Sequence, residues 1–514
     1  MPHSGPSASG DVTGAGKLDR DVLKVAAVVV LGSIMAILDT TVVNVALQEL
    51  TVRFQTSFAT IQWVSTGYML ALAAVIPVTG WASDRFGTKR LYLVALSVFL
   101  LGSVLAGLSW NIETLIGFRV LQGLGGGMLM PAGMTLLTRA AGPQRVGQVM
   151  ALLGVPMLLG PIGGPILGGW LVDTVSWRWI FFINVPIGLV ALVATTVFLP
   201  QDEPERADRF DFPGMLMLSP GLALLLYGVA NVPGAGGVSR PEVWLPAGLG
   251  AVLVAGFVLR ATRIPNPLID LGLFRDRTFS VAVLAMAFFS VSFFGVMLLF
   301  PSYFLLVRGE SALSAGLLMA PQGIGAMLTM PVAGKLADRI GPGRVILPGI
   351  VAIAAGLALF AGVGAGTAYW QLLAALFVVG LGVGAAMMPI MVAALRTLRH
   401  REVARASTAT NIIQQMSGAI GSAVMSIILA GVLAAKFGVP TSQGQLAAGA
   451  ALADPATHDA AAAAAADSFG TAFTWGLVFM VVSAVPAALL LRKAPLRDEL
   501  VPDVVDVPVG KTVV

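Results

Sequence analysis

The chain has 514 residues, of which 57% are hydrophobic and only 11% are charged, whereas about a quarter of the residues in a soluble domain are charged. This composition excludes an ordinary water-soluble domain, and the lack of cysteine together with three scattered histidines leaves almost no ligands for a metal centre. The net charge of +5 does not call for nucleic acid, because membrane proteins concentrate Lys and Arg in their cytoplasmic loops.

Apolar segments long enough to cross a hydrocarbon core of about 30 Å recur along the whole sequence. Each should be a helix, because lipid offers no partner for a free backbone group. Residues 1–21 are polar and lack a signal-peptide pattern, which predicts a cytoplasmic tail. Charged and Gly/Pro-rich breaks then separate fourteen predicted spans, at 24–47, 61–82, 91–110, 114–138, 146–171, 179–200, 213–231, 243–260, 279–306, 313–336, 345–363, 370–395, 403–433 and 472–491.

The distribution of basic residues predicts the orientation. Most of the 31 Lys and Arg residues fall on one side if both termini are cytoplasmic, which predicts a multi-pass protein of the cytoplasmic (inner) membrane. The longest outside segment, 434–471, contains the Ala-rich run from Ala460 to Ala466. Its weak hydrophobicity and the flanking Asp459 and Asp467 favour a short surface helix or hairpin over another span.

An internal repeat divides the chain. The segment GWASDRFGTKR at 80–90 reappears as GKLADRIGPGR at 334–344, in both cases after the second helix of a six-helix set. Two homologous halves around a midplane site are typical of secondary transporters. The predicted organisation is a tail at 1–21, a six-helix bundle at 22–200, a linker with two inserted helices at 201–278, a second six-helix bundle at 279–492 and a tail at 493–514. The inserted segment 211–270 is then expected outside the transport core.

Three motifs are similar to those of the major facilitator superfamily. GWASDRFGTKR resembles its loop signature, and LIGFRVLQGLGGG at Leu115–Gly127 resembles its fourth-helix motif. GVPMLLGPIGGPILGG at Gly154–Gly169 resembles the fifth-helix motif of its antiporters. In the last of these, the residues that match are Gly160, Pro161, Gly164 and Gly168.

Three further motifs resemble the fourteen-span drug:proton antiporters of the EmrB/QacA type: LDTTVVNVAL at Leu38–Leu47, QWVSTGYML at Gln62–Leu70 and WRWIFFINVPIG at Trp177–Gly188. The resemblance covers about residues 25–492. It implies an all-α major facilitator fold and export of drugs or other small lipophilic compounds. The proton is then the coupling ion, no cofactor is needed, and the chain is expected to work as a monomer.

Asp39 and Arg119 are the candidate coupling residues. A carboxylate in the middle of a span costs about 2.5–3.5 kcal/mol on insertion scales, so Asp39 is interpreted as a proton carrier in preference to a structural acid. Arg119 cannot be deprotonated and needs acceptors, which Asp39, carbonyl groups or water would supply. By resemblance it belongs to proton coupling. The equivalent positions of the second half, Phe293 and Leu373, carry no charge, which assigns coupling to the first half.

The repeated loops and the apolar spans supply the other candidate sites. The loops are interpreted as a conformational latch, against the alternative of a role in topology and folding alone; the residues are Gly80, Asp84, Arg85, Gly87, Arg90, Gly334, Asp338, Arg339, Gly341 and Arg344. Polar and aromatic residues within spans are the candidates for a substrate cavity: Asn44, Trp63, Tyr68, Gln122, Phe289, Phe293, Gln322, Asn411, Gln414 and Gln415.

Three other functions compete with drug export. A dedicated exporter of one metabolite or lipid fits the same architecture. A channel would not need duplicated halves with latch loops. An enzyme is disfavoured because the spans contain no His, Cys or paired-carboxylate constellation.

Overall fold

The computed structural model describes residues 19–56, 58–61, 63–141, 149, 163–164, 167–172, 174–199, 210–235, 240–265, 267–395 and 402–490. These residues form α1 (Arg20–Arg53), α2 (Phe58–Ile61), α3 (Trp63–Phe86), α4 (Thr88–Gly107), α5 (Ile112–Ala141), α6 (Trp179–Phe182), α7 (Asn184–Phe198), α8 (Phe212–Ala235), α9 (Pro241–Ala261), α10 (Arg277–Leu306), α11 (Ala312–Leu318), α12 (Ala320–Ile340), α13 (Gly343–Ala361), α14 (Tyr369–Leu395), α15 (Val403–Phe437), α16 (Gly444–Ala453) and α17 (His458–Leu489). Short 3-10 turns lie at Leu271–Arg275 and Thr441–Gln443.

The fold is all-α and polytopic. Within the described residues, 13 helices are long and apolar enough to cross a membrane, with α6 and α7 forming one span and α11 and α12 largely another. Most of the span predicted at 146–171 lies outside the described residues. Several helices exceed the roughly 20 residues that a bilayer requires. At 35 residues, α15 is about 50 Å long.

The two halves repeat one packing pattern. In the first half, α5 packs against α1, α3 and α4; in the second half, α14 packs in the same way against α10, α12 and α13. Helices α3 and α12 carry the first parts of the repeated loop motif, and α4 and α13 follow it. The duplication inferred from the repeated loop motif is therefore also present in the helix packing.

Two glycines make the same turn in both halves. Gly87, between α3 and α4, has φ 87° and ψ 143°. Gly341, between α12 and α13, has φ 92° and ψ 145°. Only glycine adopts this region of backbone space without strain, so the glycine of the repeated motif is required by the shape of the turn.

Replacing Gly341 with alanine should lower stability by about 1–3 kcal/mol, because a side chain at this φ and ψ strains the backbone. The space around Gly341 is open, so a steric clash would not contribute. The thermal midpoint of the purified protein measures the effect. Gly248→Ala is the matched control, since Gly248 lies within helix α9 and is also surrounded by open space. Equal midpoints for the two variants would contradict the backbone argument.

The inserted hairpin of α8 and α9 lies on the boundary between the two halves. Helix α8 contacts α3 of the first half and α15 of the second. Tyr227 of α8 stacks on Trp63 of α3 at 5.5 Å, and Phe210, two residues before α8, lies 4.4 Å from Trp81 of α3, both measured between ring centroids. The insert is therefore packed against both bundles, although the sequence pattern placed it outside the transport core.

The segment 434–471, which the charge distribution predicts to lie outside, is more helical than its composition suggests. Helix α15 continues to Phe437, and the last spanning helix, α17, already begins at His458. The Ala-rich run from Ala460 to Ala466 forms the first turns of α17 instead of a separate surface helix or hairpin. Alanine has the highest helix propensity, which suits this extension. Lys436 and Asp467 form an ion pair at 2.7 Å between α15 and α17.

Candidate functional site

Asp39 and Arg119 form an ion pair inside the first bundle. Arg119 Nη1 on α5 donates a hydrogen bond to Asp39 Oδ2 on α1 at 2.5 Å. The Arg119 side chain is 1% exposed and the Asp39 side chain is 0% exposed. A pair removed from water in this way is stable only if hydrogen bonds also satisfy its remaining polar atoms.

Two side-chain amides complete the hydrogen bonds of the carboxylate. Gln122 Nε2 donates to Asp39 Oδ1 at 2.8 Å, and Asn184 Nδ2 donates to the same oxygen at 3.0 Å. Gln122 Oε1 accepts from Arg119 Nη1 at 2.7 Å, so this amide contacts both charges. We call Asp39, Arg119, Gln122 and Asn184 the polar network. Its carboxyl group accepts from three donors, an arrangement that suits an ionised acid.

Ser103 holds the side chain of Asn184 near the start of α7. A turn at Ile183 separates α6 from α7, and Pro186 lacks the N–H that a continuous helix would need. Ser103 on α4 donates to the carbonyl of Phe181 at 2.9 Å. The Ser103 hydroxyl oxygen also accepts from Asn184 Nδ2 at 3.0 Å, which holds the amide against Asp39.

Arg119 also has partners other than the acid. Its Nε donates to the carbonyl of Val64 at 3.2 Å. The guanidinium carbon lies 4.2 Å from the centre of the Tyr68 ring and 5.7 Å from that of Phe181. Aromatic faces attract a cation, more strongly when water is excluded. The arginine therefore has partners that do not depend on Asp39.

Glycines bring the helices of the network together. A Cβ atom on Gly102 of α4 would lie 2.6 Å from Gln122 Cα, and one on Gly123 of α5 would lie 2.5 Å from the carbonyl oxygen of Tyr68. Real Cβ atoms do not approach this closely. The glycine-rich stretch of α5 is thus a packing surface for α3 and α4, as expected for small residues between membrane helices.

The antiporter motif contacts α1 beside Asp39. A Cβ atom on Gly164 would lie 2.0 Å from Thr41 Oγ1, and one on Gly168 would lie 3.1 Å from the carbonyl oxygen of Val42. Gly160 and Pro161 lie outside the described residues. The described part of this motif therefore packs directly against the helix that carries the acid.

The cavity residues predicted in the first half occupy different environments. Gln122 and Tyr68 are buried, the former in the polar network and the latter under Arg119. Trp63 is 39% exposed and stacks on Tyr227 of the inserted helix. The side chain of Asn44 lies outside the described part of the structure.

The aromatic candidates of the second half lie together. Phe289 and Phe293 on α10 are buried and stacked, with ring centroids 5.7 Å apart. Gln322 on α12 is 2% exposed, and its Nε2 lies 3.8 Å from the sulfur of Met297.

The predicted cavity residues on α15 range from buried to exposed. Asn411 is buried and donates to the carbonyl of Ser407 at 2.8 Å and to the sulfur of Met134 on α5 at 3.1 Å. Gln414 is half-buried and Gln415 is exposed. Asn411 thus contacts the other half of the molecule.

Asp84 of the first repeated loop connects the two halves. Asp84 on α3 lies 3.6 Å from Arg139 on α5 and 3.7 Å from Arg405 on α15. Of the other loop residues, Gly80 is buried, and Arg85 and Arg90 are exposed. The ion pair of Asp84 with Arg405, together with the contact from Asn411 to Met134, joins the bundles at the end that the charge distribution assigns to the cytoplasm.

Three residues of the second copy of the loop have the same exposure as their counterparts in the first. Arg339 and Arg344 are exposed and Gly334 is buried, while the side chain of Asp338 lies outside the described residues. The described contacts between the halves thus involve Asp84 of the first copy.

Asn184 and Ser103 contribute to the site but were not among the sequence-based candidates. Asn184 lies in the motif WRWIFFINVPIG, and an amide within an apolar span was the available signal. Serine is common in membrane helices, so Ser103 offered no comparable signal.

Comparisons with known proteins agree with this architecture. The Multidrug resistance protein B homolog of Mycobacterium tuberculosis is 47% identical over 429 residues, which cover 83% of this chain and 79% of that protein. The Tetracenomycin C resistance and export protein of Streptomyces glaucescens is 33% identical over 439 residues, covering 83% and 79% of the two chains.

Two solved structures share the fold. The human organic anion transporter MFSD10 has a TM-score of 0.56 at 16% identity, covering 90% of this chain and 100% of the other. The proton:xylose symporter XylE has a TM-score of 0.58 at 13% identity, covering 91% and 96%. The profile of the Major Facilitator Superfamily matches residues 29–422. With its duplicated bundles and its repeated loop motif, the chain belongs to the Major Facilitator Superfamily of membrane transporters.

Proposed function

We propose that this chain is a proton-coupled antiporter that exports drugs or other small lipophilic compounds across the cytoplasmic membrane. The observation that carries the proposal is the buried pair of Asp39 and Arg119. An acid at this depth binds and releases a proton during transport, and Arg119 is the positive charge that it faces in the conformation described here. Both termini are cytoplasmic in this proposal, and the chain works as a monomer.

The names of the relatives support export of toxic compounds. Two relatives are named for multidrug resistance and for resistance to and export of tetracenomycin C. The apolar stack of Phe289 and Phe293 in the second bundle suits a lipophilic substrate. The first bundle then performs the proton chemistry, and the second contributes to the drug-binding surface.

The geometry also suggests how the halves alternate. The ion pair of Asp84 with Arg405 joins the bundles at one end, so this end is closed to its side of the membrane. Rocking of one bundle against the other separates these charges and opens the cavity to the cytoplasm. Protonation of Asp39 neutralises the negative charge that faces Arg119. The loss of this attraction links proton binding to the rocking motion.

The energy source can be tested in inverted membrane vesicles. Fluorescent drug accumulation should require an imposed proton gradient and should stop when an uncoupler collapses it. Vesicles without the protein provide the baseline for passive uptake. Full accumulation in the presence of both ATP and the uncoupler would reject proton coupling.

A dedicated exporter of one compound is the alternative, and the tetracenomycin relative favours it. A panel of drugs distinguishes the two functions in a host that lacks its own efflux pumps. Resistance to several unrelated compounds supports multidrug export, whereas protection against a single chemical class supports a dedicated exporter.

A further inference from the structure

The side-chain amide of Asn184 has a polar atom without a hydrogen-bond partner. Its Nδ2 donates to both Asp39 and Ser103, but its Oδ1 is buried and has no partner within the described part of the chain. The residue is 1% exposed. A buried acceptor without a donor is unfavourable. This oxygen therefore either gains a donor in another state of the site, or is left without one because the other contacts of Asn184 fix the amide.

Protonation of Asp39 would create a suitable donor. An ionised carboxylate only accepts hydrogen bonds, whereas a protonated carboxyl group has one O–H to donate. Arg119 has no acceptor atom. The acceptor oxygen of Gln122 is already bonded to Arg119. Among the side chains bonded to Asp39, Asn184 alone therefore has a free acceptor in the described structure.

We propose that Asn184 Oδ1 accepts the hydrogen bond of protonated Asp39, and that the amide makes a half-turn each time the acid gains or loses its proton. The proposal rests on the proposed role of Asp39 as the proton carrier. A proton from the outside forms an O–H bond at Asp39 Oδ1, and Asn184 Nδ2 turns away as Oδ1 takes its place. Release of the proton to the cytoplasm reverses both changes.

Ser103 can accommodate both orientations of the amide. Its hydroxyl now accepts from Asn184 Nδ2 and donates to the carbonyl of Phe181. A hydroxyl group is both donor and acceptor and can rotate. After the half-turn, the Ser103 hydroxyl can donate to Asn184 Oδ1 instead of to the carbonyl of Phe181. The charged and titratable side chains that face the site in the described residues are Asp39, Arg119 and Tyr68.

Infrared difference spectroscopy of the purified full chain in liposomes tests the proposal. Spectra at low and high pH should show the carbonyl stretch of a protonated carboxyl group, and this band should disappear in Asp39→Asn. In Asn184→Leu the band should remain but move to higher frequency, because the O–H has lost its acceptor. Thr195→Val is the matched control, since Thr195 is also buried on α7 but bonds locally to the carbonyl of Ala191.

The outcomes separate this inference from the proposed function. A band that persists in Asp39→Asn would show that Asp39 is not the proton site. A band that disappears in Asp39→Asn but keeps the wild-type frequency in Asn184→Leu would leave the proton site intact and overturn the role of Asn184.

A second measurement does not require an Asn184 variant to fold. Labelling asparagine with ¹³C at its side-chain carbonyl shifts the side-chain amide band of the wild-type protein, so that this band can be distinguished from the backbone amide bands. This band should shift to lower frequency on protonation, as the carbonyl accepts a hydrogen bond, and the shift should be absent in Asp39→Asn. An amide band that does not respond to pH in the wild type would reject the proposal.

Discussion

Asp39→Asn should abolish uphill efflux while the protein remains folded and inserted. The neutral side chain imitates a permanently protonated acid, which cannot release its proton. Arg119 retains the carbonyl of Val64, the amide of Gln122 and the ring of Tyr68, so the remaining charge is not isolated. One proton crossing 100 mV provides about 2.3 kcal/mol, equivalent to a gradient of roughly fiftyfold for a neutral substrate. Drug accumulation should therefore fall to near equilibrium.

Inverted vesicles with matched protein levels provide the measurement. Glu113→Gln is the control, because Glu113 is an exposed acid in the first turn of α5 and should not affect coupling. Binding of uncharged drugs by Asp39→Asn should persist. Uphill transport at the wild-type level in this variant would remove Asp39 from the mechanism.

Arg119→Ala should damage both folding and transport. It leaves the buried carboxylate of Asp39 with two amide donors but no positive charge. Breaking a buried ion pair by removing one partner costs about 3–5 kcal/mol. Arg119→Lys should retain part of the activity, because the charge survives. A lysine cannot reproduce the forked contacts to Asp39, Gln122 and Val64.

Thermal unfolding and vesicle transport measured on the same preparations separate the two effects. The double variant Asp39→Asn with Arg119→Ala should recover much of the lost stability but no uphill transport, because neither charge then remains. Arg263→Ala, at an exposed arginine after α9, is the control for loss of a positive charge. A stable, fully active Arg119→Ala protein would contradict the importance of the pair.

These two predictions depend on contacts that a sequence reveals only in part. Asp39 and Arg119 are identifiable because ionisable residues within apolar spans are rare and costly. Their partners are harder to identify. Gln122 is one of the predicted cavity residues, and only the structure shows that it bonds to both charges. Asn184 meets Asp39 across 145 positions of sequence, and no local pattern indicates such a contact.

The inserted helices illustrate the same limit. Hydropathy identifies α8 and α9 as membrane helices because lipid forces any long apolar segment to pair its backbone groups internally. It does not indicate where a helix packs. The aromatic contact of Trp63 with Tyr227 places α8 against α3, and α15 of the second half packs against α8 as well.

The helical class, the duplication and the two central charges follow from composition, local hydropathy and motif spacing, since each reflects the demands of the bilayer on a short stretch of chain. The assembly of the site requires the folded protein. Gly102 and Gly123 determine how closely α4 and α3 approach α5, and that approach decides which side chains surround Asp39. Hydrogen bonds form only at short range and in defined directions, so the partners of a buried acid depend on the packing of several helices at once.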